Sequence, residues 1–192
     1  SVSSRGTEFK IISRHGEFTY KTKLLGSHCA LNITGAVAVC VTLGIAPEKL
    51  SLPISRLESV PHRMQLTDNG SAIIIDDAYN SNPAGAKAAL DTLALFEEYK
   101  ILITPGMVEL GDKQYECNKE FGTYAAAVCD YIILVGQKQA VPILDGMGDF
   151  PKDRYFVADT VNEAIEHAYG LHVAGRKKVI LLENDLPDNY LS

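Results

Sequence analysis

Asp76-Asp77-Ala78-Tyr79-Asn80-Ser81-Asn82-Pro83 gathers two carboxylates, a phenol and two carboxamides in one short stretch, directly after the apolar run Ala72-Ile73-Ile74-Ile75. Carboxylates accept hydrogen bonds, whereas carboxamides and phenols both donate and accept. Such a set binds and positions a ligand; by composition it holds no proton-transfer catalyst. The preceding run is β-branched without polar alternation, as expected for a strand covered on both faces in a parallel sheet. The alanine-rich stretch from Ala84 to Phe96 reads as a helix, so strand, polar loop and helix form the first part of a βαβ unit. In open α/β sheets ligands bind outside the carboxyl ends of strands, where Asp76 through Asn82 would sit. Asp77 or Asn82 could instead simply cap the helix, with Pro83 suited to its first turn. That alternative accounts for Asn82 but not for Asp76, Asp77, Tyr79 and Asn80 arriving together.

Further candidates lie elsewhere. Ala30, Ile33, Val37 and Val41 recur at helical spacing between Leu24 and Gly44, and Gly44 stops the helix. His28 and Asn32 fall near its start, where unpaired backbone N–H groups and the positive end of the helix dipole favour a polar ligand. Asn32 carries a donor and an acceptor, the pair needed to read an adenine edge. Thr104-Pro105-Gly106-Met107-Val108-Glu109-Leu110-Gly111 is a second loop at a strand end, with glycines that permit close backbone approach and a Glu109 that either faces the site or points to solvent. Glu183-Asn184-Asp185-Leu186-Pro187-Asp188-Asn189-Tyr190 closes the last strand as a site loop or, with more weight, a solvated tail.

These groups must be held by the surrounding elements. From Ser1 to Leu25 short alternating pieces around Arg14-His15-Gly16-Glu17 read as a β-hairpin. Pro47 to Ser59 reads as a short helix interrupted near Pro53, and residues 1–58 and 59–192 divide there because prolines stiffen the connection and the pattern changes afterwards. Strands are expected at Ala72–Ile75, Lys100–Thr104, Tyr131–Val135, Arg154–Val157 and Val179–Leu182, with helices between. This alternation predicts an α/β, Rossmann-like, doubly wound and mostly parallel sheet. No GxGxxG follows the first strand, so the fold alone assigns no dinucleotide.

Composition excludes some classes. With 46% hydrophobic and 22% charged residues the 192-residue chain has an ordinary globular composition, and its net charge of −6 argues against a general nucleic-acid binder. Cys29, Cys40, Cys117 and Cys129 form no CxxC pair, as expected of free thiols in a reducing compartment. No leader and no apolar run of membrane-spanning length is present, so a cytoplasmic protein without membrane partners is expected.

The DD-x-YN-x-NP stretch resembles a signature of the Mur ligases, ATP-dependent amide-bond-forming enzymes of peptidoglycan precursor synthesis, and within them of the branch that adds D-alanyl-D-alanine. Gly26-Ser27-His28-Cys29-Ala30-Leu31-Asn32, Pro61-His62-Arg63-Met64 and Met107-Val108-Glu109-Leu110-Gly111 are similar to further family motifs, in the family's order. The resemblance implies that residues 1–58 end a central ATP-binding domain and that 59–192 form the family's C-terminal domain. It implies ATP and Mg2+ as cofactors, with Asn32 at the adenine and with Arg63 and Asp77 at the ribose and its phosphate side. Tyr79, Asn80 and Asn82 would face the incoming amine. The substrates implied are a UDP-muramoyl peptide and an amino acid or dipeptide, joined through an acyl phosphate. The chain contains no GxxxxGK[ST], so triphosphate and Mg2+ would be held mainly by upstream domains of the same polypeptide, and the chain alone is expected to be inactive. Three departures stand out: Cys29 for the family's usual Asn, Asn118 for a His, and no Lys-Gly-Ser-Arg-like segment after the last strand. The last leaves room for a specialised relative with another amino substrate; the missing phosphate-binding loop also allows a non-catalytic interaction domain, against which Asn32, Arg63 and Asp77 speak. A receiver-like phosphoacceptor would need a Lys at the end of a late strand, whereas Lys177 and Lys178 precede the last one.

Overall fold

A computed structural model describes residues 1–3 and 5–184 of the chain. It begins with a three-stranded antiparallel sheet, β1 (Val2–Ser3), β2 (Gly6–Ser13) and β3 (Gly16–Thr22). Helix α1 (Ser27–Thr42) and the short α2 (Ser51–Ser55) pack on it, and Tyr20, Ile33, Val37, Leu50 and Ile54 form their shared core. Pro53 does not interrupt α2, contrary to the sequence reading: it lies in the first turn, where its missing N–H had no intrahelical partner to lose.

The larger unit is a six-stranded sheet built from β4 (Gln65–Asp68), β5 (Ala72–Asp77), β6 (Tyr99–Thr104), β7 (Tyr131–Val135), β8 (Tyr155–Ala158) and β9 (Lys178–Glu183). In space the order is β4-β5-β9-β6-β7-β8; β4 runs antiparallel to β5, and the remaining pairings are parallel. The last strand is therefore inserted between the first two parallel ones. Helices α3 (Pro83–Leu93), α4 (Gln114–Val128) and α5 (Gln137–Met147) contribute to the core on one face, and α6 (Val161–Gly170) to the core on the other. The doubly wound, mostly parallel sheet matches the sequence reading.

Strand alternation explains both cores. Ile73, Ile75, Leu102, Val179 and Leu181 meet the three-helix face, while Ile101, Ile103 and Ile180 meet α6. Helix α3 presents Ala86, Ala89, Leu90 and Leu93, one stripe at 3.6 periodicity, to the sheet. Helices α4 and α5 approach closely because Gly122 and Gly146 lack side chains: a Cβ on Gly146 would lie 1.8 Å from the Lys119 carbonyl oxygen. Leu25, fully buried, joins the three-helix core and ties the first sheet to α3.

Candidate functional site

Where the start of α1, the segment from Glu58 to Met64 and the loop after β5 converge, a cleft of about 610 Å³ opens. Asn32, Arg63, Asp77, Asn80 and Asn82 all line it, together with His28 and Cys29. Sequence reasoning named those first five from three separate segments, and the fold brings them to one place. Tyr79 does not line the cleft; its ring, 62% exposed, lies 4.3 Å beneath the Arg63 guanidinium as a cation–π partner. The α1 N-terminus is available to a ligand, since Gly26 supplies no side-chain cap and the first turn carries no acidic residue. Gly26 itself must be glycine: its φ is 91°, and a Cβ would lie 2.8 Å from the His28 ring. The Asn32 side chain makes no hydrogen bond to the described residues and so keeps its donor and its acceptor.

The segment carrying Arg63 is latched to the β5 loop. His62 Nδ1 lies 2.9 Å from Asp76 Oδ2, the Tyr79 N–H donates to the His62 carbonyl at 3.2 Å, and the Met64 N–H donates to Asp77 Oδ1 at 3.0 Å. His62 and Met64 adopt positive φ of 59° and 47°, so Arg63 is held between two left-handed residues. That is uncommon outside glycine and carries local strain. Asp77 is half-buried: burial raises its pKa, and the Met64 N–H, His28 and Arg63 offset this only in part. Asn82 is indeed a helix cap, with its Oδ1 accepting the Gly85 N–H at 2.9 Å, so its Nδ2 remains for a ligand.

The carboxyl ends of the central strands carry groups that sequence reasoning missed or weighed differently. Glu183, given more weight as a solvated tail, is 1% exposed; it accepts from the Thr104 hydroxyl at 2.8 Å and from the Ser81 hydroxyl. Burial pushes its pKa up to about 7, the two hydroxyls pull it down, and Asp77 adds to the rise. Asn184 is buried too, donating from its Nδ2 to the Gly106 carbonyl at 2.6 Å. Asp185 to Tyr190 lie outside the described residues. A signal was available: Glu183 ends an apolar run, as the Asp76-Asp77 pair does. Glu109 is exposed, with φ 63°, and does not line the cleft. Asn118 is instead the residue that shapes its loop, accepting from the Met107 N–H and donating to the Met107 carbonyl, each at 2.8 Å. Lys178 sits at the amino end of β9, bonded to carbonyls at the end of α6, so it cannot serve Asp76 or Asp77 as a receiver lysine would.

The family model for "Mur ligase, glutamate ligase domain" matches residues 62–183. The chain belongs to the Mur ligase family. Among curated Mur ligases, UDP-N-acetylmuramoyl-tripeptide–D-alanyl-D-alanine ligase of Bacillus subtilis is 35% identical over 159 residues, and that of Escherichia coli 31% over 158. Each alignment takes in 80% of this chain and 34% of the relative, so the chain spans about a third of these enzymes' length. A structure of MurF from Acinetobacter baumannii superposes with a TM-score of 0.78 at 22% identity, covering 96% of this chain and 40% of that one. MurF ligase from Thermotoga maritima, solved in complex with ADP, gives 0.76 at 21%, over 95% of this chain and 41% of that one. These likenesses show that the Mur ligase fold extends over nearly the whole chain. No helix among the described residues is long and apolar enough to cross a membrane.

Proposed function

We propose that this chain is the nucleotide-closing and amine-receiving part of an ATP-dependent Mur ligase that adds D-alanyl-D-alanine to a UDP-N-acetylmuramoyl peptide. The observation that carries the reading is the convergence of Asn32, Arg63 and Asp77 on one cleft of about 610 Å³. A nucleoside fits this donor set. Asn32 offers a donor and an acceptor to an adenine edge. Asp77 accepts from ribose hydroxyls, as acidic residues do in other nucleotide folds, and Arg63 offers a guanidinium fork to phosphate oxygens. Its stacking on Tyr79 fixes the guanidinium plane before a ligand arrives. Asn80 and the free Nδ2 of Asn82 address the incoming amino substrate.

ATP supplies the activated phosphate when bound. The family resemblance assigns the triphosphate and Mg2+ mainly to upstream domains, since the chain carries no GxxxxGK[ST]. In the same reading residues 1–58 complete that upstream ATP-binding domain and residues 59–192 form the C-terminal domain. Leu31 and Val39 on α1 and Leu43 at its C-cap are 72%, 61% and 76% exposed, an apolar surface suited to burial against that region. The chain's own residues hold and orient nucleotide and amine, and positioning with electrostatic stabilisation accounts for their share of the rate. The reading is tested by assaying the full-length protein for ATP-dependent amide formation from UDP-N-acetylmuramoyl-tripeptide with D-alanyl-D-alanine and a panel of single amino acids. Turnover with the dipeptide supports it. Turnover with another amine makes the protein a specialised relative, and no turnover with any would favour the interaction-domain alternative.

A further inference from the structure

Three adjacent strands end in a row of polar residues on the same face of the sheet. Asp77 of β5 pairs in register with Glu183 of β9, and Thr104 ends β6 on the other side of Glu183. Side chains in register on parallel neighbours point to the same face, so the two carboxylates stand side by side. Asp77 reaches the cleft, whereas Glu183 lies behind it, almost without solvent contact. Its two oxygens are engaged in different directions, one by Ser81 in the loop after β5 and the other by Thr104. The Thr104 hydroxyl in turn accepts the Gly106 N–H at 3.0 Å, and the Asn184 N–H donates to the Asp77 carbonyl at 3.3 Å.

No cation faces this buried carboxylate among the described residues. From β5 the charged neighbour is Asp77; β6 offers the Thr104 hydroxyl, its Lys100 lies towards the opposite end of the strand and bonds the Phe96 carbonyl, Glu109 in the following loop is exposed, and on α3 Lys87 and Asp91 pair with each other at the surface. A carboxylate in such surroundings is costly when charged, so it is kept for what it connects. We propose that Glu183 is the positioning residue of the cleft, fastening the loop of Asp77 to Asn82 through Ser81 to the loop of Thr104 to Gly106, so that both loops present their groups to the ligand as one unit. The inference takes from the preceding section only the assignment of the cleft to a nucleoside. Its physical content, the coupling of two loops through one buried carboxyl group, stands apart from that assignment. When the carboxyl group is ionised both oxygens accept. When it is protonated one becomes a donor and one hydroxyl must reverse, a change felt in both loops at once.

The test follows backbone amide NMR signals of Ser81 and Gly106 from pH 5 to 9 in the wild-type chain, Glu183→Gln and Ser81→Ala, and measures adenosine binding by the same proteins at pH 7. Adenosine carries no phosphate to titrate. In the wild type the two amides should move together with one midpoint near pH 7. In Glu183→Gln that shared midpoint should vanish, and in Ser81→Ala it should persist at Gly106 alone. Adenosine should bind Ser81→Ala roughly three- to tenfold more weakly, the scale of one hydrogen bond. Separate midpoints in the wild type, or a shared midpoint that survives Glu183→Gln, overturn the proposal. Failure of the wild type to bind adenosine would sink the nucleotide reading, and the amide titration would still decide the coupling.

Discussion

Replacing Glu183 by Gln should change how stability depends on pH, and the structure sets both sign and size. Burial raises the folded-state pKa of Glu183 from an ordinary value of 4.5 to about 7. For an acid raised in this way the folded protein holds the proton more tightly than the unfolded chain. The group therefore costs nothing below about pH 4.5, and the cost grows as pH rises through 7, above which it is constant. At about 1.4 kcal/mol per pH unit the full change is about 3 kcal/mol, undiscounted because the carboxylate has almost no solvent contact. Glutamine keeps the shape, one acceptor and a donor, so it imitates the protonated acid and does not titrate. Urea denaturation of wild type and Glu183→Gln at several pH values between 4 and 8 gives the difference in unfolding free energy, in which titrating groups not coupled to Glu183 cancel. That difference should shift by about 3 kcal/mol in favour of the variant between the two ends. A difference that stays constant within about 0.5 kcal/mol would refute the assignment of a neutral-range pKa to this residue, and with it the buried carboxylate described above.

Other perturbations give separate checks. Gly146→Ala puts a Cβ 1.8 Å from the Lys119 carbonyl oxygen and should destabilise the chain by about 1–3 kcal/mol in thermal or denaturant unfolding, by forcing α4 and α5 apart. Asn82→Ala removes the cap on the Gly85 N–H and should cost about 1 kcal/mol in the same measurement. Tyr79→Ala removes the ring beneath Arg63 without touching the cleft lining, and should weaken binding of ADP by about 0.5–1 kcal/mol while leaving adenosine binding unchanged, because the arginine addresses phosphate.

Most residues of the cleft were legible because each lies at a position whose chemistry is local, whereas Arg63 was named by the family resemblance alone. Asp77 follows a β-branched run, Asn32 stands one turn into a helix that has no acidic residue to occupy its N-terminus, and Asn82 precedes Pro83. Periodicity likewise gave the five parallel strands to within about two residues at each end, and α3 with its alanine stripe. What could not be read was long-range. The insertion of β9 between β5 and β6 places Glu183 beside Asp77 across more than 100 residues of sequence, and no local pattern records that pairing. The same holds for Ser81, whose hydroxyl finds its partner on β9. Glu109, left open between site and solvent by its sequence, is exposed with a positive φ and does not line the cleft, and Asn118 from α4 shapes its loop. Asn118 was noted only as a departure from the family pattern, because its backbone partners cannot be seen in sequence.

The central claim is that the cleft between α1, the Arg63 segment and the β5 loop holds a nucleotide. Calorimetric titration of the full-length protein with Mg2+ and a non-hydrolysable ATP analogue, comparing wild type with Asn32→Ala and Asp77→Ala, tests it most directly. Each substitution should weaken binding by about 1–3 kcal/mol, the scale for losing a hydrogen bond to a buried polar or charged group. Binding unchanged in both variants would contradict the claim and assign the nucleotide wholly to the upstream part of the protein.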